Sequence, residues 1–225
     1  TDNDFQLEPN ALHIWPREEF MLIALPNTDK SFTCTLFLPV EGSISFDALS
    51  TTESVVDFFS EYFEEVLPLL ENFPNTFFDN PTGKLATVYA DEWHYNNQYC
   101  LTGDAAHAIV PFFGQGMNAS FEDCEVLMQC LDEAYGNWDG VCKKFNSVRK
   151  ADCDAIAKMA IENYVEMRDL ITKKEFLQQQ KISNLLSGRF PNRFMPRYNM
   201  VSFTSIPYSE VYRRDNIQKE IIAKL

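Results

Sequence analysis

The chain predicts an α+β protein, with an antiparallel sheet first and helices after it. Three short β-rich runs crowd residues 11–40, and their separations suit hairpins. Helical periodicity fills most of the second half. Between them lie two short strand-like runs and a glycine-punctuated turn. The 225 residues suffice for one large domain or two small ones. A content of 45% apolar and 23% charged residues is that of a folded globular protein.

The first strands are LHIWPR at 12–17, FMLIALPN at 20–27 and FTCTLFLP at 32–39. Asn27-Thr28-Asp29-Lys30 is a good hairpin turn although it lacks glycine. Residues 53–72 predict a helix, because Val56, Phe59, Phe63, Val66 and Leu70 recur at helical spacing. Pro68 kinks or shortens it. Residues 73–84 hold Pro74, Pro81 and Gly83 and read as a loop. LATVYA at 85–90 and QYCLTGD at 98–104 read as two further strands. Helices are expected near 115–134, 138–168, 169–187 and 208–224, with an extended loop over 189–205. The natural divisions are 1–84, 85–137 and 138–225. The opening TDNDFQLEPN is a polar connector, as in a chain cut in a loop.

A net charge of -14 excludes attraction to phosphate backbones and disfavours anionic membrane surfaces. No apolar run reaches the roughly 18 residues of a membrane span. The 19 phenylalanines read first as an aromatic core. The six cysteines form no C-x-x-C pair and have no zinc spacing with the three histidines, so they read as reduced core thiols. No metal site is expected, and His13, His94 and His107 are read as structural or isolated.

The run from Leu101 to Leu127 is the most informative. Read alone, Asp104 caps the turn that follows it; read as a ligand residue, its carboxylate accepts two hydroxyl hydrogen bonds from a polyol. Gly114-Gln115-Gly116-Met117-Asn118-Ala119 formally fits G-x-G-x-x-A. Pro111-Phe112-Phe113 separates it from the strand, which rules out a pyrophosphate cradle. A helix start there still offers N–H groups to an anionic ring edge. Glu122-Asp123 is placed in the first turns of that helix, where the dipole favours carboxylates. On the apolar stripe of Ile156, Ala160 and Met167, Asn163 must find partners, either a neighbouring carbonyl or a polar ligand group.

The full spacing G-D-A-A-H, P, G-Q-G-M-N, E-D resembles the second FAD-binding motif of the aromatic-ring hydroxylases, built on the hydroxybenzoate-hydroxylase fold. The resemblance implies a partial α/β FAD-binding fold: 1–84 as substrate-domain sheet and helix, 85–137 as the second half of the FAD domain, 138–225 as a helical region. It implies FAD held by Asp104, Pro111, Gly114, Gln115, Gly116, Met117 and Asn118, with Asp104 on the ribityl chain and Met117 and Asn118 nearest the ring. The blocks LHIWPR, FMLIALPN, SFTCTLFLP, PFFGQGMN, NYVEMR and YNMVSF resemble the branch of this family that hydroxylates L-kynurenine. That implies NADPH and O2 as co-substrates and a substrate side of Asn163, Tyr198, Met167, Phe112, Leu12, Leu25 and Phe37. It implies no catalytic protein residue, because a flavin hydroperoxide carries the chemistry. The family places an N-terminal Rossmann half before these residues; that half is the expected partner, and this segment alone is expected to bind FAD poorly. The expected location is the cytoplasm for a bacterial member. For a eukaryotic one with its C-terminal anchor removed it is the mitochondrial outer membrane. A same-fold hydroxylase of another aromatic acid and a non-catalytic, flavin-free module are the alternatives.

Overall fold

A computed structural model describes residues 4–170 and 173–224. Positions 1–3 of the polar opening and 171–172 of the expected helix at 169–187 lie outside them. The chain forms two compact units, one running through Lys84 and including Glu166–Lys173, the other made of Leu85–Val165 and the residues from Lys174.

The first unit opens with strands β1 (His13–Arg17), β2 (Phe20–Pro26) and β3 (Phe32–Phe37). They form an antiparallel sheet in the order β1-β2-β3, as expected. Lys30, at φ 72°, takes the left-handed position that glycine would fill in the second turn. The register places Trp15, Leu22 and Leu36 side by side, and Met21 opposite Phe37.

Helix α1 (Thr52–Tyr62) starts at Thr51, whose side chain and Ser54 satisfy each other's backbone N–H groups. The expected helix over 53–72 ends early. A proline ring at 68 clashes with the carbonyl four residues back, so the chain breaks at Phe63 and Pro68 sits in a separate 3-10 turn, Leu67–Leu69. The expected loop at 73–84 contains a short helix, α2 (Asn75–Asp79). Phe58, Phe59 and Phe63 pack with Phe20, Leu22 and Val66. Ring centroids lie 5.5 Å apart for Phe20–Phe58 and 4.8 Å for Phe59–Phe73. The phenylalanine excess is thus largely a core. Arg17 closes its edge, donating to the Tyr62 carbonyl at 2.6 Å and lying over the Phe63 ring.

The second unit departs from expectation at its start. Residues 85–90 are extended but belong to no ladder; the Val88 and Ala90 N–H groups bond the Ala108 and Ala106 carbonyls instead. Of residues 98–104 only β5 (Tyr99–Cys100) is strand, paired with β4 (His94–Tyr95). Helices α3 (Asp104–His107), α4 (Gly116–Glu133) and α5 (Val141–Val165) follow, with a 3-10 turn, Pro111–Phe113, before α4. A π turn, Glu166–Leu170, extends α5 and packs on β1 in the first unit. Then come α6 (Lys174–Arg189), α7 (Arg197–Phe203) and α8 (Tyr208–Ile222). The loop expected over 189–205 therefore holds a helix, with Pro196 at the cap position before its first residue. Helix α5 is the spine, packed on α4 and α8. Cys130, Cys142 and Cys153 are buried thiols, whereas Cys34 and Cys124 are exposed, which corrects the reading of all six as core residues. No helix among the described residues is long and apolar enough to cross a membrane.

Phe63 is 0% exposed and Phe78 is 45% exposed. Phe63→Ala is expected to cost about 3–5 kcal/mol in urea unfolding, by transfer and cavity terms together. Phe78→Ala is expected to cost about 1 kcal/mol or less.

Candidate functional site

The Gly-Asp turn and the GQG helix start are brought together by one buried carboxylate. Asp123 on α4 is 0% exposed. Its Oδ2 accepts the Gly103 N–H at 2.8 Å and meets His107 Nε2 at 2.6 Å. Its Oδ1 accepts from Arg149 Nε on α5 at 3.0 Å. Arg149, 1% exposed, also donates to the Ala119 carbonyl at 3.1 Å and pairs with Glu122 at 2.9 Å. Burial pushes the Asp123 carboxyl up, but the bonds from His107, Gly103 and Arg149 outweigh it and hold it below its ordinary 3.8.

Gly103 is required at its position. It adopts φ 58° and ψ -143°, and a Cβ there would lie 3.1 Å from Ser120 Oγ on α4. Gly103, not Asp104, holds the cap position of α3; Asp104 is the first helical residue and its side chain is exposed. The capping reading of Asp104 is thereby excluded.

After the 3-10 turn, Gly114 takes a left-handed conformation at φ 65° and stands exposed. Gln115 turns inward, 8% exposed; its Oε1 accepts from Tyr208 OH and Asn118 Nδ2, both at 3.0 Å. Burial, then the nearby Glu122 carboxylate, pushes the Tyr208 phenol up to about 12, so it remains a donor. No side chain caps the first turn of α4. Pro111, Met117 and Asn118 face outward, Met117 being 67% exposed. The loop is thus anchored through Gln115 and presents Pro111, Gly114, Met117 and Asn118 outward.

The other expected residues divide between the units. Asn163 donates to the Phe112 carbonyl at 2.7 Å, and Phe112 stacks on Tyr164 at 4.5 Å. One of the two partners expected for Asn163, a neighbouring carbonyl, is therefore present. Tyr198 is on α7, more than half exposed, with its ring 6.3 Å from that of Phe113. Met167 lies in the π turn, in the first unit with Leu12, Leu25 and Phe37. Leu12 precedes β1 instead of lying on it. Leu12 and Leu25 are 44% and 47% exposed, so neither is a core residue. Leu25 shares a sheet face with Met21 and its partner Phe37, opposite the face carrying Phe20 and Leu22.

Asp123 and Arg149 were missed as site residues. Asp123 is the eighth residue of α4, near the end of its second turn, and packing accounts for its burial. The available signal was a carboxylate on the stripe of Ala119, Asp123 and Cys130, all buried. His107, Asp123 and Cys153 offer ligand atoms within 4.8 Å of one another. Arg149 already donates to Asp123 and reaches Cys153 Sγ at 3.5 Å, so a guanidinium supplies the cation there. Burial lifts the Cys153 thiol to about 12 and keeps it neutral.

Residues 69–151 match the family model described as FAD binding domain. The chain belongs to the aromatic-ring hydroxylase family of FAD-dependent monooxygenases. Within it, the chain is 44% identical over 98% of its length to the kynurenine 3-monooxygenase of Dictyostelium discoideum, covering 51% of that protein. It is 48% identical to that of Myxococcus xanthus and 44% to that of Sus scrofa, over 98% of the chain and 47% of each relative. The chain thus spans about half the length of the curated relatives it matches.

Asp123→Ala leaves a buried guanidinium without its main partner and is expected to cost about 3–5 kcal/mol. The depressed carboxyl contributes stability that is complete above its ordinary 3.8 and is lost as pH falls through the lower folded value. Thermal melts from pH 6 down to about pH 2 are therefore expected to show a shallower acid limb in Asp123→Asn than in the unmodified protein.

Proposed function

We propose that the protein carrying this chain hydroxylates the aromatic ring of L-kynurenine next to its amino group, using NADPH, O2 and FAD. The observation that carries the reading is the Gly103–Asp104 turn locked against α4, beside a helix start that no side chain caps. Relatives of matching sequence bear the name kynurenine 3-monooxygenase.

The residues fit an isoalloxazine and its polyol. The exposed Asp104 carboxylate accepts hydroxyl hydrogen bonds from the ribityl chain. Backbone N–H groups at the start of α4, from Gln115 to Asn118, would stabilise the ring edge that becomes anionic on reduction, where the helix dipole favours negative charge. Bound flavin supplies the hydride acceptance and oxygen activation that no side chain here can perform. Pro111 and Phe112 would lie between the ring and the substrate and help exclude water. Asn163 and Tyr198 would hold polar substrate groups. The Rossmann portion comes from the remaining half of the protein; this segment alone binds FAD weakly.

In the whole protein, L-kynurenine is expected to stimulate NADPH oxidation and to yield 3-hydroxykynurenine. Stimulation by another aromatic acid alone would move the assignment to that substrate. Asp104→Ala is expected to weaken FAD by roughly tenfold or more, the loss of charge-assisted bonds. Because Asp104 is exposed, the melting temperature of the apoprotein should stay unchanged. Flavin fluorescence titration checks the first effect and calorimetry the second.

A further inference from the structure

Three consecutive residues near the end of α5 reach in different directions. Asn163 donates to the Phe112 carbonyl and Tyr164 stacks on the Phe112 ring. Glu162 meets Arg197, the residue before Tyr198, at 2.5 Å. Arg197 is 7% exposed, although it stands beside a Tyr198 that is 56% exposed. Its guanidinium also pairs with Asp215 on α8 at 3.3 Å and lies 5.7 Å over the Phe113 ring. Glu162 accepts in addition from Tyr212 OH and Lys219, both at 3.3 Å. Burial pushes its carboxyl up, but Lys219 and Arg197 outweigh that and hold it low, so it stays ionised.

We infer that Glu162 and Arg197 are a positioning pair that fixes Asn163 and Tyr198 relative to the Pro111–Phe113 turn. The inference rests on the kynurenine reading for what those residues touch. Its physical basis is separate. Helix α7 has only seven residues, too few to hold its own orientation. Its buried anchor is Arg197, with Met200 and Val201 beneath it. The planar fork of Arg197 reaches α5, α8 and the Phe113 ring together, so it sets rotation as well as distance. The neighbouring Tyr198 inherits that rotation. On the other side, a shift of Glu162 moves Asn163 and its bond to the Phe112 carbonyl. A salt bridge built only for stability would need no such placement, one residue from each expected substrate contact.

The test uses the flavin-loaded whole protein with Glu162→Gln, Arg197→Lys and, as a surface control, Glu220→Gln. Measured are KM and kcat for L-kynurenine-stimulated NADPH oxidation, hydroxylated product per NADPH consumed, flavin content and melting temperature. For both pair variants KM should rise about tenfold and product per NADPH should fall by at least half, at unchanged flavin content. Glu162→Asp, which keeps the charge, should recover part of the coupling. Glu220→Gln should match the unmodified protein. Pair variants that melt lower yet keep KM and coupling within twofold would overturn the inference, because a purely structural bridge behaves so. Arg197→Lys retains the charge; if it alone stays folded, its KM and coupling decide the matter. An unmodified protein without any response to L-kynurenine would instead sink the functional reading.

Discussion

The second unit depends on the burial of one negative charge. Asp123 has no exposure to water, so its cost must be met by hydrogen bonds and a counter-charge. It receives both: an N–H from Gly103, a ring nitrogen from His107, and the Arg149 guanidinium. These partners come from two separate segments, the Gly103–His107 turn and α5, and a carboxylate on α4 forces them into register. Apolar residues in place of Asp123 and Arg149 would leave the Gly103 N–H without its carboxylate partner. The charge serves placement more than net stability. Trp93 shields the arrangement, its ring 5.0 Å from that of His107.

The loop above this network separates inward from outward roles residue by residue. Gln115 is spent on the interior, held by Tyr208 and Asn118. Gly114 and Met117, on either side, remain exposed. The alternation explains why a G-x-G pattern occurs here without a strand directly before it. The glycines accommodate a left-handed turn and a helix start, while the residue between them anchors both.

Much of this was legible in the sequence, where local chemistry decides structure. The hairpin strands followed from β-rich runs and turn residues, and α4, α5 and α8 from periodicity. The Gly-Asp and GQG pieces were ambiguous one by one, and only their joint spacing resembled a family motif. What escaped depends on partners far along the chain. Residues 85–90 have strand composition, but a ladder needs a neighbour, and their N–H groups find Ala106 and Ala108 instead. Helix α7 is too short for periodicity to register and sits among prolines. Asp123 belongs to an acidic pair whose place early in a helix is already explained by the dipole, so nothing local marks it as buried. Only the approach of Arg149, 26 residues on, makes its burial tolerable.

The two sides of the proposed site share one rigid element. Arg149 and Cys153 on α5 lie beneath the turn expected to face the flavin, and Glu162 to Tyr164 serve the expected substrate side. At about 1.5 Å per residue, the 14 positions from Arg149 to Asn163 span roughly 21 Å of continuous helix. Helix α5 is packed on α4 and on α8. Neither end can move independently unless that helix bends. The Asn163–Phe112 bond closes the loop, returning from the substrate side to the turn that leads into α4. A reaction between two bound partners needs their separation fixed to a fraction of an ångström, and side chains on a packed helix hold it better than loops do.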